Sequence, residues 1–302
     1  GELAKDVVQV WSSSHRTGEA AYLATWLAMD MAARQTRPRD YALLVRQKAD
    51  VFERELQPPF AAVDLTIRNE SKMVGKVSLQ ELLVDDIAQV VLALLRLGTR
   101  VKAPQAWQTA SSAVEFLAGI ESADASGTHC AEAALEKFLG ELRAFLDAKS
   151  PSEDAAAEVI DKVYEFLNME RIVRSHVRYQ RNDMAQLIVE GLTIHLVECA
   201  KATSTWTDCL DLYEGADQIP LLTVHKSKGL EYDTIAFVGL DDKSWWSHTP
   251  GNPEGLATFF VALSRAKQRA VFLFCNERGE RQKVADLYQL LTDAGVVETV
   301  VC

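Results

Sequence analysis

The chain has 302 residues, 48% of them hydrophobic, with 32 basic and 43 acidic side chains and a formal net charge of −11. That length allows one or two domains, and that apolar fraction excludes a disordered chain. No run of about 18 apolar residues is present to span a bilayer, no basic stretch followed by an apolar core marks a signal peptide, and net acidity counts at face value against gripping nucleic acid through the overall field.

Val7–Trp11 (VVQVW) is a short β-branched run that reads as a buried strand, and Glu19–Ala33 carries apolar residues at helical spacing. After the turn signal Pro38–Asp40, Tyr41–Val45 (YALLV) is a second strand. Ala49–Leu56 reads as a helix stopped by Pro58–Pro59. Ala62–Ile67 is a third strand, and Leu79–Leu97 a long amphipathic helix ending at Gly98. No convincing strand follows until residue 218. Trp107–Ile120, Cys130–Ala148, Ala155–Asn168 and Met184–Ala200 read as helices, separated by polar clusters at 121–128 and 149–154. Strands return at Leu221–Val224, Thr234–Val238 and Ala270–Phe274, with helices at Leu256–Lys267 and Gln282–Ala294.

Charge divides at the same places. Residues 1–99 carry 12 basic and 13 acidic side chains, residues 100–218 carry 11 and 20, and residues 219–302 carry 9 and 10. Strand–helix alternation implies a parallel three-layer sheet. The expected architecture is one α/β domain, residues 1–98 plus 219–302, interrupted by an acidic all-helical insertion, residues 99–218. Five cysteines without a C-x-x-C pair read as free thiols in a reducing cytoplasm. His129, His176, His195 and His248 have no neighbours at metal-ligand spacing, so no metal is assigned to the protein itself. The first residue is Gly1 rather than Met, from which a fragment of something longer is expected.

Two segments carry chemistry. In Leu221–Leu240 (LLTVHKSKGLEYDTIAFVGL) a buried strand delivers Thr223, His225, Lys226 and Lys228 onto the loop at its carboxyl end, where open α/β sheets bind ligands. Gly229 permits close backbone approach, and Glu231 is an acceptor suited to a sugar hydroxyl. A surface loop with a solvated lysine pair explains the same residues equally well. In Phe259–Lys267 (FFVALSRAK) helical spacing lines up Phe260, Leu263 and Lys267 and carries Arg265 on a packed helix. Such an arginine is held rigidly enough to stabilise a transferring phosphoryl group; a structural ion pair is the alternative.

TVHKSKGLEYD followed about thirty residues later by VALSRAK resembles motifs V and VI of the UvrD/Rep-type superfamily 1 DNA helicases. Tyr41–Leu56 (YALLVRQKADVFEREL) resembles the strand, arginine and helix that open the same domain, and Ala88–Gly98 the helix that precedes the family's helical insertion. The resemblance implies a RecA-like, P-loop NTPase-like second motor domain (2A) interrupted by the accessory domain 2B. It implies Arg265 as the arginine finger, Lys228, Gly229 and Glu231 on the ATP side, and Arg46, Thr223 and His225 on single-stranded DNA. It further implies ATP with Mg²⁺, held mainly by an N-terminal RecA-like domain of the same protein, and 3′ to 5′ polarity. The chain departs from the family at Lys48, where Asn is common, and at Val45, where an aromatic is common.

No G-x-x-x-x-G-K-[ST] string occurs in the sequence. The runs Leu82–Asp86 (LLVDD) and Phe237–Asp242 (FVGLDD) imitate a Walker B strand but lie in the wrong contexts. The chain alone is therefore expected not to hydrolyse ATP. Arg171, Arg174, Arg178 and Arg181 recur at helical spacing, with His176 between them, as either a phosphate-facing helix face or a solvated face paired with acids. Trp245–Trp246, in a Gly/Pro-containing loop, can stack on a base or pack against the sheet. Two functions fit: the second motor domain of an ATP-dependent DNA helicase or translocase, or a helicase-like remnant that binds a protein partner through its acidic helical insert.

Overall fold

A computed structural model describes residues 7–99, 102–120, 124–175, 177–180 and 183–301. In chain order the elements are β1 (Val8–Ser13), α1 (Arg16–Arg34), β2 (Tyr41–Val45), α2 (Ala49–Ala61), β3 (Thr66–Asn69), β4 (Met73–Val74) and β5 (Val77–Ser78). There follow α3 (Leu79–Val84), α4 (Asp86–Gly98), α5 (Pro104–Ala118), α6 (Ala125–Ala148), α7 (Glu153–Leu167), α8 (Met169–Ser175), α9 (Met184–Ala202) and α10 (Trp206–Glu214). The last are β6 (Gln218–Thr223), β7 (Tyr232–Val238), α11 (Pro253–Leu263), β8 (Ala266–Cys275), α12 (Ala285–Asp293) and β9 (Glu298–Val300). The chain forms two compact units, one up to Lys72 and again from Gly215, the other Met73–Glu214.

The first unit is a seven-stranded sheet in the order β3-β6-β2-β7-β8-β1-β9, parallel throughout. Alternate residues of each strand feed opposite faces, as a two-residue period requires. Tyr41, Leu43 and Val45 pack with Leu23 and Leu27 of α1 and Phe52 and Leu56 of α2. Ala42 and Leu44 join Phe237 and Phe272 under Phe259 of α11 and Leu287 of α12. Both faces are covered, so β2 is buried from end to end and reads as an unbroken apolar run. Each such Leu or Val contributes about 1.5–3 kcal/mol of burial. This is the three-layer α/β fold of a RecA-like domain.

Three expectations shift here. Helix α2 runs through Pro58 and Pro59 to Ala61 instead of stopping before them. Each proline removes one helical N–H, but Phe52, Leu56 and Phe60 form a stripe at intervals of four residues, and the buried Phe60 keeps the last turn wound. The third strand begins at Thr66, after a turn in which Asp64 has φ +58°. An edge strand, β9, is present that the sequence pattern does not announce.

The second unit is helical apart from the β4–β5 hairpin. The expected single helix over 79–97 is two, broken at Asp85. Asp85 is extended, and its carboxylate accepts the Ile87 and Ala88 N–H groups as the N-cap of α4. Val91, Leu94 and Leu95 of α4 are buried in one core with Leu135, Leu139 and Leu142 of α6 and Ile188, Leu192 and Leu196 of α9. Gly98 packs closely there: a Cβ would lie 2.8 Å from Leu146 Cδ1, so that leucine would have to shift to admit a side chain. Residues 73–98 thus pack with the helices, and the compact units divide at 72/73 and 214/215 where the sequence reading places junctions at 98/99 and 218/219. The described cysteines are free; Cys199, Cys209 and Cys275 are buried and Cys130 is exposed. Among the described residues no helix is long and apolar enough to cross a membrane.

Candidate functional site

The register of β2 against β6 pairs Val45 with Thr223, and the Val224 N–H donates to the Val45 carbonyl at 3.0 Å. The residues that leave these strands at their carboxyl ends therefore meet. Arg46 Nη1 lies 3.0 Å from His225 Nε2, a bond in which the guanidinium donates to the neutral ring nitrogen. The same guanidinium sits 5.6 Å above the ring of Trp245. Thr223, half-buried, is tied down through its own N–H, which donates to Ser71 Oγ at 3.1 Å. Sequence reasoning missed Ser71, which belongs to no recognisable motif.

Beyond Thr223 the chain winds into a tight turn. Lys226 N–H donates to the Thr223 carbonyl at 2.9 Å, and the buried Ser227 hydroxyl donates to the Val224 carbonyl at 2.8 Å. Gly229 has φ +86°, a conformation that costs other residues about 1–2 kcal/mol, and a Cβ there would meet nothing within 4 Å. Lys228 and Glu231 are exposed, and Glu231 is 3.7 Å from Lys267 Nζ.

Arg265 does not ride on a helix. Helix α11 ends at Leu263, and Arg265 stands in the turn before β8, so Lys267 belongs to the strand. Its Nε donates to the Val261 carbonyl at 3.1 Å, its Nη1 to the Leu230 carbonyl at 2.9 Å and its Nη2 to Ser264 Oγ at 2.9 Å. Its own carbonyl accepts the Tyr232 N–H at 2.8 Å. The guanidinium closes the orphan end of α11 and clasps the far end of the 224–231 turn. Arg34, Arg39, Arg269, Arg278 and Arg281 of the same unit all end on carboxylates, whereas the partners of Arg46 and Arg265 are neutral.

Lys48 is held at φ +56°, ψ +48° as the N-cap of α2, without a side-chain cap. Asn tolerates that left-handed position and can cap a helix, a physical reason for its frequency in the resembled family.

The aspartates that imitate a Walker B strand are engaged locally. Asp241 accepts the N–H groups of Lys243 and Ser244, at 3.0 and 2.8 Å, and Asp242 those of Gln282, Lys283 and Val284. The tandem tryptophans split: Trp245 is 1% exposed and Trp246 64%. In the loop between them and α11, His248 Nε2 donates to Asp286 Oδ1 at 2.9 Å. A Cβ on Gly255 would lie 1.8 Å from the His248 Nδ1, so the ring requires that glycine. Burial acts to raise the Asp286 carboxyl, but the bonds from His248 and from the Gly251 N–H outweigh it and hold it below the usual range.

The arginines at helical spacing do not share one helix. Arg171 and Arg174 are in α8, and Arg174 is 3.1 Å from Glu170. Arg178 lies in a separate 3-10 turn, 3.4 Å from Asp85. Arg181 and His176 lie outside the described residues.

Residues 115–277, more than half of the chain, match the family described as the UvrD-like helicase C-terminal domain. No curated protein matches the chain. The matched segment starts in the helical unit, runs through the 224–231 turn and α11, and ends just past β8. The chain accordingly belongs to the UvrD-like helicase C-terminal domain family, and its α/β unit is a helicase-type motor domain.

Proposed function

We propose that the chain is the second motor domain of an ATP-dependent 3′ to 5′ DNA helicase or translocase. In this reading Arg46, Thr223 and His225 hold the backbone of single-stranded DNA, and Arg265 reaches the terminal phosphate of ATP. The observation that carries it is the turn at 224–231. One end abuts the Arg46–His225 pair and the other is clasped by Arg265 through Leu230, so a single stiff element touches both groups of residues.

The residues present suit a magnesium nucleotide. Lys228 is exposed, the space over Gly229 is open, and the partners of Arg265 are neutral, so a phosphate can replace them with a charge-assisted bond. Glu231 would accept a ribose hydroxyl. When bound, ATP supplies the free energy of phosphoryl transfer to water; Arg265 would stabilise charge on the transferring group. To do so it must leave the Leu230 carbonyl, and the freed turn can then shift His225 against the DNA. Translocation needs release at every step, which a few positioned contacts permit more readily than a broad basic surface does.

The cradle for the other phosphates and the main magnesium ligands belong, in this proposal, to an N-terminal RecA-like domain of the same protein. The chain alone is then inactive as an ATPase. Arg265→Ala in the full-length protein tests the assignment. ATP turnover should fall about 10³-fold or more with single-stranded DNA affinity retained. Normal turnover would refute the finger. If the parent reading frame instead encodes no Walker A segment upstream of residue 1, the reading as a protein-binding remnant replaces this one.

A further inference from the structure

Trp245 presents a face to a side chain rather than to a base. Its ring is 1% exposed, 5.7 Å from Phe237 and edge-on to His248 at 5.9 Å. The indole N–H has no hydrogen-bond partner, so no bond fixes the ring and its position follows from packing alone. On the remaining face lies the Arg46 guanidinium, 5.6 Å from the ring centre, and that guanidinium meets His225 at 3.0 Å.

The loop that carries Trp245 is tied to the Arg46 segment a second time. Gln47 Nε2 donates to the Ser244 carbonyl at 3.3 Å, and the Asp241 carboxylate holds the Ser244 N–H. The Trp245 N–H in turn donates to the Asp241 carbonyl at 2.9 Å. A long arginine side chain with no carboxylate to anchor it otherwise samples many rotamers. An aromatic face beneath the guanidinium restricts that sampling and leaves its edge donors free for an anion.

We propose that Trp245 is a positioning residue. It serves as a pedestal that holds Arg46, and through Arg46 the His225 ring, ready for a nucleic-acid phosphate. The proposal rests on the reading of Arg46 as a DNA contact given above. It assigns Trp245 a role that requires no contact with DNA.

The test uses the 302-residue chain and a fluorescent oligothymidylate, with affinity measured across a salt series. Arg46→Ala should weaken binding about fivefold and reduce the slope of log K against log salt by about 0.7, the share of one phosphate contact. Trp245→Leu should give the same loss and the same slope change. The double variant should be no weaker than either single one, because the two act as one unit. Trp245→Phe, which keeps an aromatic face, should recover most of the affinity. It also carries the test if leucine impairs folding: its residual loss must vanish in the Arg46→Ala background. A Trp245 variant that folds and keeps the wild-type slope, or losses that add in the double variant, would overturn the pedestal. An Arg46→Ala chain with unchanged affinity and slope would instead remove Arg46 from the DNA site, and the pedestal with it.

Discussion

Of the two compact units, the α/β one is nearly balanced, with 19 basic and 21 acidic side chains, while the helical one carries 13 and 22. Totals alone would make both poor partners for a polyanion. The difference lies in how individual cations are used. In the helical unit Arg96, Arg174 and Arg178 end on carboxylates, and Arg143, whose Nε donates to the Leu97 carbonyl, is an exception. The α/β unit has the same kind of pairs, but at the carboxyl ends of its strands Arg46 and Arg265 meet neutral groups. A cation held by neutral acceptors keeps its charge available, whereas one held by a carboxylate has most of it cancelled. Net charge therefore marks the boundary between units and says little about what either binds.

The largest expected effect separates a structural arginine from an available one. Arg278 is 6% exposed, and its Nη2 serves both Glu19, at 2.6 Å, and Glu55. Arg278→Met should cost about 3–5 kcal/mol in urea unfolding, because it strands the buried Glu19 carboxylate beside the half-buried Glu55. Burial already pushes the Glu19 carboxyl up against the opposing pull of Arg278, so this cost should shrink as the pH falls and Glu19 takes up a proton. Arg46→Ala and Arg265→Ala should each cost about 1 kcal/mol or less. Equal losses for all three would erase the distinction.

A second effect has opposite signs in the two units. Asp286 is held below its ordinary value, so its contribution is present above the usual aspartate range and is lost as the pH falls from about 4 through its lowered pKa. Asp85, fully buried, is raised by desolvation despite the bonds from Tyr179 and the α4 amides and the nearby charge of Arg178. Its contribution is present below about 4 and fades as the pH rises through its folded pKa. Hydrogen exchange in each unit, compared for wild type, Asp286→Asn and Asp85→Asn across pH 3–7, reads both slopes. The same sign for both variants would contradict the assignment.

The smallest effect is at Lys48. Lys48→Asn should stabilise the chain by roughly 0.5–1 kcal/mol, by relieving the left-handed backbone and supplying the missing cap. A neutral or destabilising result in thermal unfolding would show that the lysine ammonium has a partner worth more than the strain.

Much of the fold was readable because its strands are buried on both faces. YALLV and IAFV are continuous apolar runs, and burial is what parallel sheets demand of such runs. Where burial is absent the signal fails: β9, Glu298–Val300, is exposed at every residue. The end of α11 was not readable, since LSRAK contains no glycine or proline to mark the stop, and only pairing with β7 makes Ala266 a strand residue. Asp85 was not readable as a break, because a lone aspartate inside an apolar periodicity does not distinguish a cap from an exposed helical residue. At the candidate site, local motifs indicated which residues gather on the 224–231 turn. They held no trace of Trp245 beneath Arg46 or of Ser71 on Thr223, because those contacts arise only when distant strands align.

The strand order has a consequence in time. None of β1, β2 and β3 borders another of the three: β3 waits for β6, β2 for β6 and β7, and β1 for β8 and β9. A ribosome that has finished the helical unit has therefore not yet made a single partner for any strand of the seven-stranded sheet. Until the last third emerges, Tyr41–Val45 must be kept from other chains without its neighbours, while the helices of residues 73–214 already have all of their own core to fold on. The motor half of this chain, first to be started, is the last to become solid.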